Sequence, residues 1–571
     1  MSPRLYFTKN SMADIYTTDG ENSIMDWHLL AQRLFPDIHM TPAEMEARFP
    51  VRELPDGAIV SRMAPSPTGF VHLGNLVQGL TAERLAHQSG GVLFLRIEDT
   101  DSKREVAGAV ETLISSLAYY DIRFDEGATV DGDSGAYGPY RQRQRRDIYH
   151  VFAKMLVEEG KAYPCFCTEE ELAAIHAEQE SEKANFGYYG KWARYRDASF
   201  ENICEKLDAG VPWVLRFRST GSIENKIRFT DLIKGTLELT ENDIDHVLLK
   251  SDGIPTYHFA HAVDDHLMHT THVVRGDEWL PSLPFHLQLF AALGWKAPKY
   301  LHIGPLMKMD GTSKRKLSKR KDPELALSFY QELGYPTQAV YEYLLTVLNS
   351  NYEDWRRANP AVDAGTFKFS YKKMNPAGSL FDEDKLRDVS KEVLSRMSAE
   401  QVYALAKDWT DIYDRDFYDK LTADPAYAIS ILAIGRGGKK PRKDLAVFSE
   451  LKEYMAFFYD DYFQVEADMP SFDPADLRGI LSDYACLYTE TDDQDAWFEK
   501  IRLLGEKYGF CPDTKTYKAN PDAYKGHVGD VSMILRVAVT GRRNSPDMFE
   551  VMRILGRERV AARLEAAEKK I

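Results

Sequence analysis

The stretch that most constrains this chain is Arg62-Met-Ala-Pro-Ser-Pro-Thr-Gly-Phe-Val-His-Leu-Gly-Asn75. A short apolar, β-prone run, Ala58 to Val60, leads into it. Pro65 and Pro67 exclude a helix there, since proline has no N–H to donate, and Gly69 permits a tight turn. Beyond Gly74, Leu76, Val77, Leu80 and Leu85 recur at helical spacing and predict an amphipathic helix. Strand, Gly-containing loop and helix N-terminus in succession present unpaired backbone N–H groups to an anion, usually a phosphate. His72 falls in the loop, within reach of the same ligand.

At 571 residues the chain exceeds what one core supports, and about three to five domains are expected. No apolar run reaches the ~18 residues of a membrane-spanning helix. The polar start, Ser2-Pro-Arg4, lacks the apolar segment of a signal peptide. Five cysteines, an odd number, suit a reducing cytoplasm rather than a disulfide scaffold. The net charge of −16 argues against nucleic-acid binding by the molecule as a whole. Three basic patches interrupt it: Arg141, Arg143, Arg145 and Arg146; Lys314 to Lys321; and Arg436 to Lys443. Acidity around such patches leaves a defined track for a polyanion and discourages unspecific binding.

Along the chain, residues 1–20 carry no helix or strand pattern, and 1–57 reads as a helical N-terminal extension. A helix is expected from Ile24 to Phe35, and Thr41-Pro-Ala-Glu44 has the form of a capping box. Residues 58–164 alternate strand and helix as the first half of a Rossmann-like, doubly wound α/β domain. Its second strand, Val92 to Ile97, runs into the acidic Glu98-Asp-Thr-Asp101. Residues 165–243 read as an α+β insertion, 244–305 as the second half of the domain, and 306–380 as the stretch that carries the second motif. From 381 to 571 the pattern is all-α. There Ser398 caps one helix, and Ser545-Pro546 opens another that Gly556 closes.

The second motif is Lys316-Leu-Ser-Lys-Arg320, after a turn at Asp310-Gly311. Lysines on a mobile loop can meet phosphate charge as it develops; an exposed basic loop is the plainer alternative. Paired with the first motif, it suggests ATP. With both motifs in hand, the chain resembles a class I aminoacyl-tRNA synthetase of the bacterial glutamyl-tRNA synthetase type. His72-Leu-Gly-Asn75 and Lys316-Leu-Ser-Lys-Arg320 are similar to the two class signatures. Ala64-Pro-Ser-Pro-Thr-Gly69, Arg96-Ile-Glu-Asp-Thr100, Pro255-Thr-Tyr-His258, Val263-Asp-Asp-His266 and Arg275 to Trp279 are similar to the glutamyl branch. The similarity is strong over about residues 58–380 and weaker beyond.

The resemblance implies two steps: glutamate is activated by ATP as its Mg2+ complex, then transferred to the 3′ end of glutamate tRNA. Glutamine tRNA is left open as a second acceptor. It places Arg62 and Arg275 on the substrate carboxylates, where a planar guanidinium binds bidentately. Glu98 then receives the ammonium, with Ala64, Ser66 and Tyr257 as further contacts. Thr68, Gly69, His72, Gly74, Asn75, Glu278, Trp279 and Lys319 line the ATP site. His72, Gly74, Lys316, Ser318 and Lys319 carry the catalysis, which needs positioning and charge stabilisation but no nucleophilic side chain. Residues 165–243 correspond to an acceptor-end-binding insertion, 306–380 to a stem-contact region that carries the Lys316–Arg320 loop, and 381–571 to an anticodon-binding region of one or two subdomains. Arg436, Lys439, Lys440, Arg442 and Lys443 are the candidate tRNA contacts there.

The pattern departs from the family in three places. Asn75 replaces a histidine, and His261 stands where many relatives have Asn. Cys165-Phe-Cys167 is half of a zinc site whose other half would fall at Trp192 and Tyr195, so neither zinc nor any other protein-bound metal is expected. A cytoplasmic monomer is expected. The competing readings are a glutaminyl-type enzyme, a truncated relative acting on a tRNA base, and a catalytically dead tRNA-binding paralogue. Arg275 opposes the first, the long helical C-terminus the second, and intact His72, Gly74 and Lys319 the third.

Overall fold

Two short helices, α1 (Trp27–Leu34) and α2 (Pro42–Ala47), precede the first strand in the computed structural model, which describes residues 25–67, 69, 71–101, 105–438 and 440–571. The expectations for residues 1–20, Thr68 and Lys439 lie outside these. α1 is shorter than the Ile24–Phe35 expected, because Asp26 caps it by accepting from Leu29 N. At α2 the predicted capping box is formed: Thr41 Oγ1 accepts from Glu44 N, and Glu44 accepts from Thr41 N.

The chain divides into two compact units, the first comprising Met1–Gly69, Gln78–Ile114 and Arg123–Ile303, the second Phe70–Val77, Ser115–Ile122 and Gly304–Ile571. In the first, β1 (Val60–Met63) is buried throughout. The helix α3 (Leu73–Gln88) follows, burying Leu76, Val77, Leu80 and Leu85 as its spacing requires. β2 (Val92–Leu95) pairs parallel with β1, placing Arg62 beside Phe94. After α4 (Ala109–Tyr119), β3 (Glu126–Thr129) pairs parallel with β2, and β4 (Gly132–Ser134) folds back on β3.

α5 (Arg146–Glu158) leads into the inserted segment. There β5 (Ala162–Cys165), β6 (Val214–Phe217) and β9 (Val247–Leu249) form an antiparallel sheet. The helices α6 (Glu169–Ser181) and α7 (Phe200–Asp208) and a hairpin of β7 (Lys226–Asp231) and β8 (Gly235–Thr240) belong to the same stretch. α8 (Tyr257–Leu267) then returns the chain to β10 (His272–Gly276). β10 runs beside β1: Thr271 N donates to Val60 O at 2.9 Å, and Ser61 Oγ to His272 O at 3.0 Å. After α9 (Leu283–Ala292), β11 (Lys299–Ile303) pairs parallel with β10. β1-β2-β3-β4 form one sheet and β10-β11 another, with the edge strands β1 and β10 side by side, in the strand-and-helix alternation expected of a doubly wound α/β domain.

In the second unit, β12 (Leu306–Asp310) and β13 (Ser313–Lys316) form a hairpin around Gly311, and β14 (Ser379–Leu380) pairs parallel with β12. Among the described residues beyond Phe381, the regular elements are all helical. Their shared core runs from Leu394 and Val402 to Val560 and Leu564. Ser398 caps its helix as expected. Ser545 does not: Asp547 is the cap of Met548–Glu568, accepting from Glu550 N, because Ser545 Oγ is turned onto Pro546 O. Gly556, at φ 80°, does end a helix, and a second follows directly.

Candidate active site

In the first unit, the carboxyl ends of β1, β2 and β10 bring Arg62, Glu98 and Arg275 together with α8. Arg62 is 4 % exposed, and its Nε donates to both oxygens of Asp265, at 3.2 and 3.3 Å. Arg96 sends Nη1 to Asp265 at 2.8 Å and Nη2 to Glu98 at 3.4 Å. Asp264 takes Arg145 Nε at 2.7 Å, Tyr149 Oη at 2.8 Å and Gln142 Nε2 at 3.0 Å. Val263-Asp-Asp-His266 is therefore the anchor of three buried arginines. Arg145 is wholly buried and Arg141 is paired with Asp133, so of the basic patch the sequence suggests only Arg143 and Arg146 are exposed.

These partners set the ionisation of the site. Asp265 is held well below the usual carboxylate range by Arg62, Arg96 and His261 against its burial. Glu98 is pushed up to about 7 by burial, which Arg96 and Arg62 oppose and Asp265 reinforces. A carboxyl balanced there gains most from an arriving cation, such as an ammonium. Tyr257 stacks on Trp279 with ring centres 4.1 Å apart, so Trp279 packs on a proposed amino-acid contact and is not an isolated core residue. His261 is buried, 2.6 Å from Asp265 and 2.9 Å from Tyr300 Oη, and serves the anchor. Ala64 is half-buried; Ser66, Gly69 and Glu278 are exposed.

Arg275 is arranged differently. Its Nε donates to His302 Nε2 at 2.9 Å and its Nη1 lies 3.2 Å from His286 Nδ1, while Nη2 is buried with no hydrogen-bond partner among the described residues. His286, His302 and Asp231 escape a sequence reading because they are dispersed over three elements with no short motif. The only signal is that the chain is rich in His between 246 and 302.

In the second unit, the segment Phe70–Val77 carries His72, Gly74 and Asn75. His72 N donates to Asn75 Oδ1 at 3.0 Å, and Asn75 N to His72 Nδ1 at 3.3 Å, the reciprocal geometry of a capping box. The Asn75 amide thus caps the start of the helix. With Nδ1 accepting, the hydrogen of the neutral ring sits on Nε2, which is then a donor. Burial, Lys319 and Lys316 together hold His72 down to about 4, so it stays neutral at physiological pH. A Cβ at Gly74 would lie 2.9 Å from His72 Cε1 and Nδ1, which explains why glycine is needed two residues on. Val71 and His72 also pair with the segment after the lysine loop, through the His72–Ala326 bridge and Leu327 N to Val71 O at 3.5 Å.

The lysine loop follows β13. Leu317 is buried and anchors it, while Lys316 and Lys319 are exposed and Ser318 is half-buried. Asp322 closes the loop, taking Arg315 Nη1 at 2.6 Å, Arg315 Nη2 at 2.7 Å and Ser318 N at 2.8 Å. Arg315 and Asp322 shape the loop without being singled out by the sequence, since an Arg and an Asp seven residues apart are unremarkable in a charged run.

A family model described as "tRNA synthetases class I (E and Q), catalytic domain" matches residues 58–386. The chain belongs to that family. A second model, "Anticodon binding domain", matches residues 517–568 of the synthetase. The glutamate–tRNA ligase of Acetivibrio thermocellus is 50 % identical over 95 % of this chain and 100 % of its own length. That of Sorangium cellulosum is 46 % identical over 92 % and 97 %. A crystal structure of a glutamate tRNA ligase from Elizabethkingia meningosepticum, in complex with its amino acid, superposes with a TM-score of 0.73 at 28 % identity, covering 90 % of this chain and 99 % of that one.

The synthetase's candidate tRNA track is altered by the structure. Arg436 gives Nε to Leu432 O at 2.6 Å and Nη1 to the carbonyls of Leu394 and Met397, so it ties the end of the helix preceding it to the end of Glu383–Arg396. Arg442 pairs with Asp444 and Lys443 with Glu392, while Lys440 is exposed. In the inserted segment, Cys165 is buried and Cys167 Sγ lies 3.5 Å from Tyr188 Oη, with Trp192 and Tyr195 packed in the same cluster. Among the described residues no three His, Cys, Asp or Glu side chains are grouped to hold a metal ion, and no helix is long and apolar enough to cross a membrane.

Proposed function

We propose that the synthetase is a glutamate–tRNA ligase, activating L-glutamate with ATP and transferring it to the 3′ end of glutamate tRNA. The observation that carries the choice of amino acid is Arg275: a buried guanidinium held by two imidazoles and, among the described residues, by no carboxylate, with Nη2 unpartnered there. Such a group selects an anionic side chain and disfavours the neutral amide of glutamine. Family membership and the names of relatives of up to 50 % identity support the same activity.

In this reading Arg275 receives the side-chain carboxylate, Arg62 the α-carboxylate, and Glu98 the ammonium, with Ala64, Ser66 and Tyr257 completing the contacts. ATP enters as its Mg2+ complex. His72 donates from Nε2 to its phosphates, and Gly69, Asn75, Glu278 and Trp279 are further nucleotide contacts. The α-carboxylate attacks the α-phosphorus, giving glutamyl-adenylate and pyrophosphate. Lys319 and Lys316 stabilise the charge that builds on the leaving pyrophosphate, and Ser318 sets their loop. The terminal ribose hydroxyl of the tRNA then attacks the acyl carbon and releases AMP. Lys440 and, beyond their ion pairs, Arg442 and Lys443 contact the tRNA backbone.

The test is aminoacylation with labelled glutamate and labelled glutamine on purified glutamate and glutamine tRNAs. Glutamate on glutamate tRNA is expected; glutamate on both tRNAs extends the reading to a second acceptor. Charging with glutamine, or of neither tRNA, overturns it.

A further inference from the structure

Arg275 can only donate hydrogen bonds, and this fixes the hydrogens of the histidines around it. His302 must accept at Nε2, 2.9 Å from Arg275 Nε. Its hydrogen is then on Nδ1, 2.7 Å from Asp231 Oδ2. Asp231 is itself saturated with donors, taking Ile233 N at 2.9 Å, Lys234 N at 2.8 Å and His302 N at 3.1 Å. His286 must accept at Nδ1, 3.2 Å from Arg275 Nη1, and so carries its hydrogen on Nε2, 2.8 Å from His258 Nδ1. His258 accepts in turn. Each imidazole is thereby assigned one hydrogen and one tautomer from geometry alone. His286 and His302 are wholly buried, where a second proton is costly.

The contrast with the neighbouring arginines is one of charge. Arg62, Arg96 and Arg145 each face an aspartate carboxylate, Asp265 for the first two and Asp264 for the third. Arg275 is oriented on two edges by lone pairs of uncharged rings, and among the described residues no carboxylate meets it and its Nη2 has no hydrogen-bond partner.

We propose that His302 and His286 are positioning residues that fix Arg275 by uncharged nitrogen acceptors, so that its full charge is kept for the side-chain carboxylate of the amino-acid substrate. This rests on the assignment of Arg275 to that carboxylate. A carboxylate in place of either imidazole would hold the guanidinium as well, or better, and would cancel the charge that selects the substrate. Asp231 acts one ring removed, orienting His302 without touching the guanidinium.

The experiment compares paired variants. His302→Gln puts an amide oxygen where Nε2 accepts, and His302→Glu puts a carboxylate there; His286→Asn and His286→Asp do the same for Nδ1. In glutamate charging, each acidic variant is expected to show a KM for glutamate at least about ten-fold above its amide counterpart, with a smaller difference in kcat. Equal KM values within each pair overturn the proposal, since a purely structural role would not sort amide from acid. Arg275→Gln separates the two layers. If it leaves the glutamate KM unchanged, the assignment of Arg275 falls and the proposal with it. If it raises KM while the pairs do not split, only the proposal falls. Should the variants fail to fold, the unaltered protein labelled with 15N-histidine still decides. One ring hydrogenated at Nδ1 and one at Nε2, neither titrating between pH 6 and 8, is expected for His302 and His286; an imidazolium at either overturns it.

Discussion

Asp322 binds Arg315 through both carboxylate oxygens, at 2.6 and 2.7 Å, and turns the same Oδ2 to Ser318 N at 2.8 Å. The pair joins the last strand of the hairpin to the far end of the lysine loop, and so fixes the path of Lys316 to Lys319. Arg315 also reaches Asp310 at the hairpin tip, at 2.9 Å. The bidentate match holds Asp322 well below the usual carboxylate range, so the clamp is intact throughout the physiological pH range.

Asp322→Asn is accordingly expected to lower kcat by about 10- to 100-fold, because a small displacement of a charge-stabilising lysine is costly in the transition state. Equilibrium binding of glutamate, measured by calorimetry, is expected to stay within about two-fold. A parallel loss of glutamate affinity would mean that the clamp supports more than the loop.

Glu98 couples stability, pH and binding. Its carboxyl is raised from 4.5 to about 7 in the folded protein. Between those values the folded state holds a proton that the unfolded chain has released, so stability falls as pH rises through the window and the loss is complete above it. The shift corresponds to about 3 kcal/mol. Glu98→Gln is expected to be more resistant to urea than the parent at pH 8 by on the order of 2 kcal/mol, with little difference at pH 5. The same variant should bind glutamate weakly, and the parent's KM for glutamate should climb as pH drops below about 7. A variant no more stable than the parent at pH 8 refutes the raised carboxyl.

The third prediction separates local geometry from chemistry. His527-Val-Gly-Asp530 repeats the local form of His72-Leu-Gly-Asn75: His527 Nδ1 accepts from Gly529 N at 3.0 Å, and Asp530 accepts from His527 N at 2.7 Å. A Cβ at Gly529 would approach His527 Cε1 to 2.6 Å, as one at Gly74 would crowd His72. Gly74→Ala and Gly529→Ala should therefore cost similar stability, on the order of 1 kcal/mol. Only Gly74→Ala should reduce turnover, by about ten-fold or more, since it displaces the ring proposed to donate to phosphate. Steady-state kinetics beside thermal melts decide it; equal activity losses would count against a special role for His72.

On the helical side, Arg436 and Lys440 should behave oppositely. Arg436→Ala removes the brace from three carbonyls and is expected to cost about 1–3 kcal/mol in a denaturant melt. Lys440→Ala should leave the melt unchanged, weaken tRNA binding, and reduce the salt dependence of log Kd by about one contact. If Lys440→Ala leaves the salt slope as it was, Lys440 is not on the tRNA.

What the sequence determined here is whatever neighbours in the chain can settle. Two prolines and a glycine before His72 exclude a helix, and apolar spacing starts one; Thr41 and Ser398 announce their caps; and two short motifs identify the family. These are local effects, within a few residues, so the order of letters carries them. The tertiary structure decided where charge is cancelled and where it is kept. Arg62 and Arg275 read alike as cations near strand ends, yet one is paired with Asp265 and the other rests on His286 and His302. Likewise Arg436 and Lys440 belong to one basic run, and folding spends the first on backbone carbonyls and leaves the second in solvent. An ion's worth depends on its partners and its exposure to water, and those are brought to it from residues tens to hundreds of positions away.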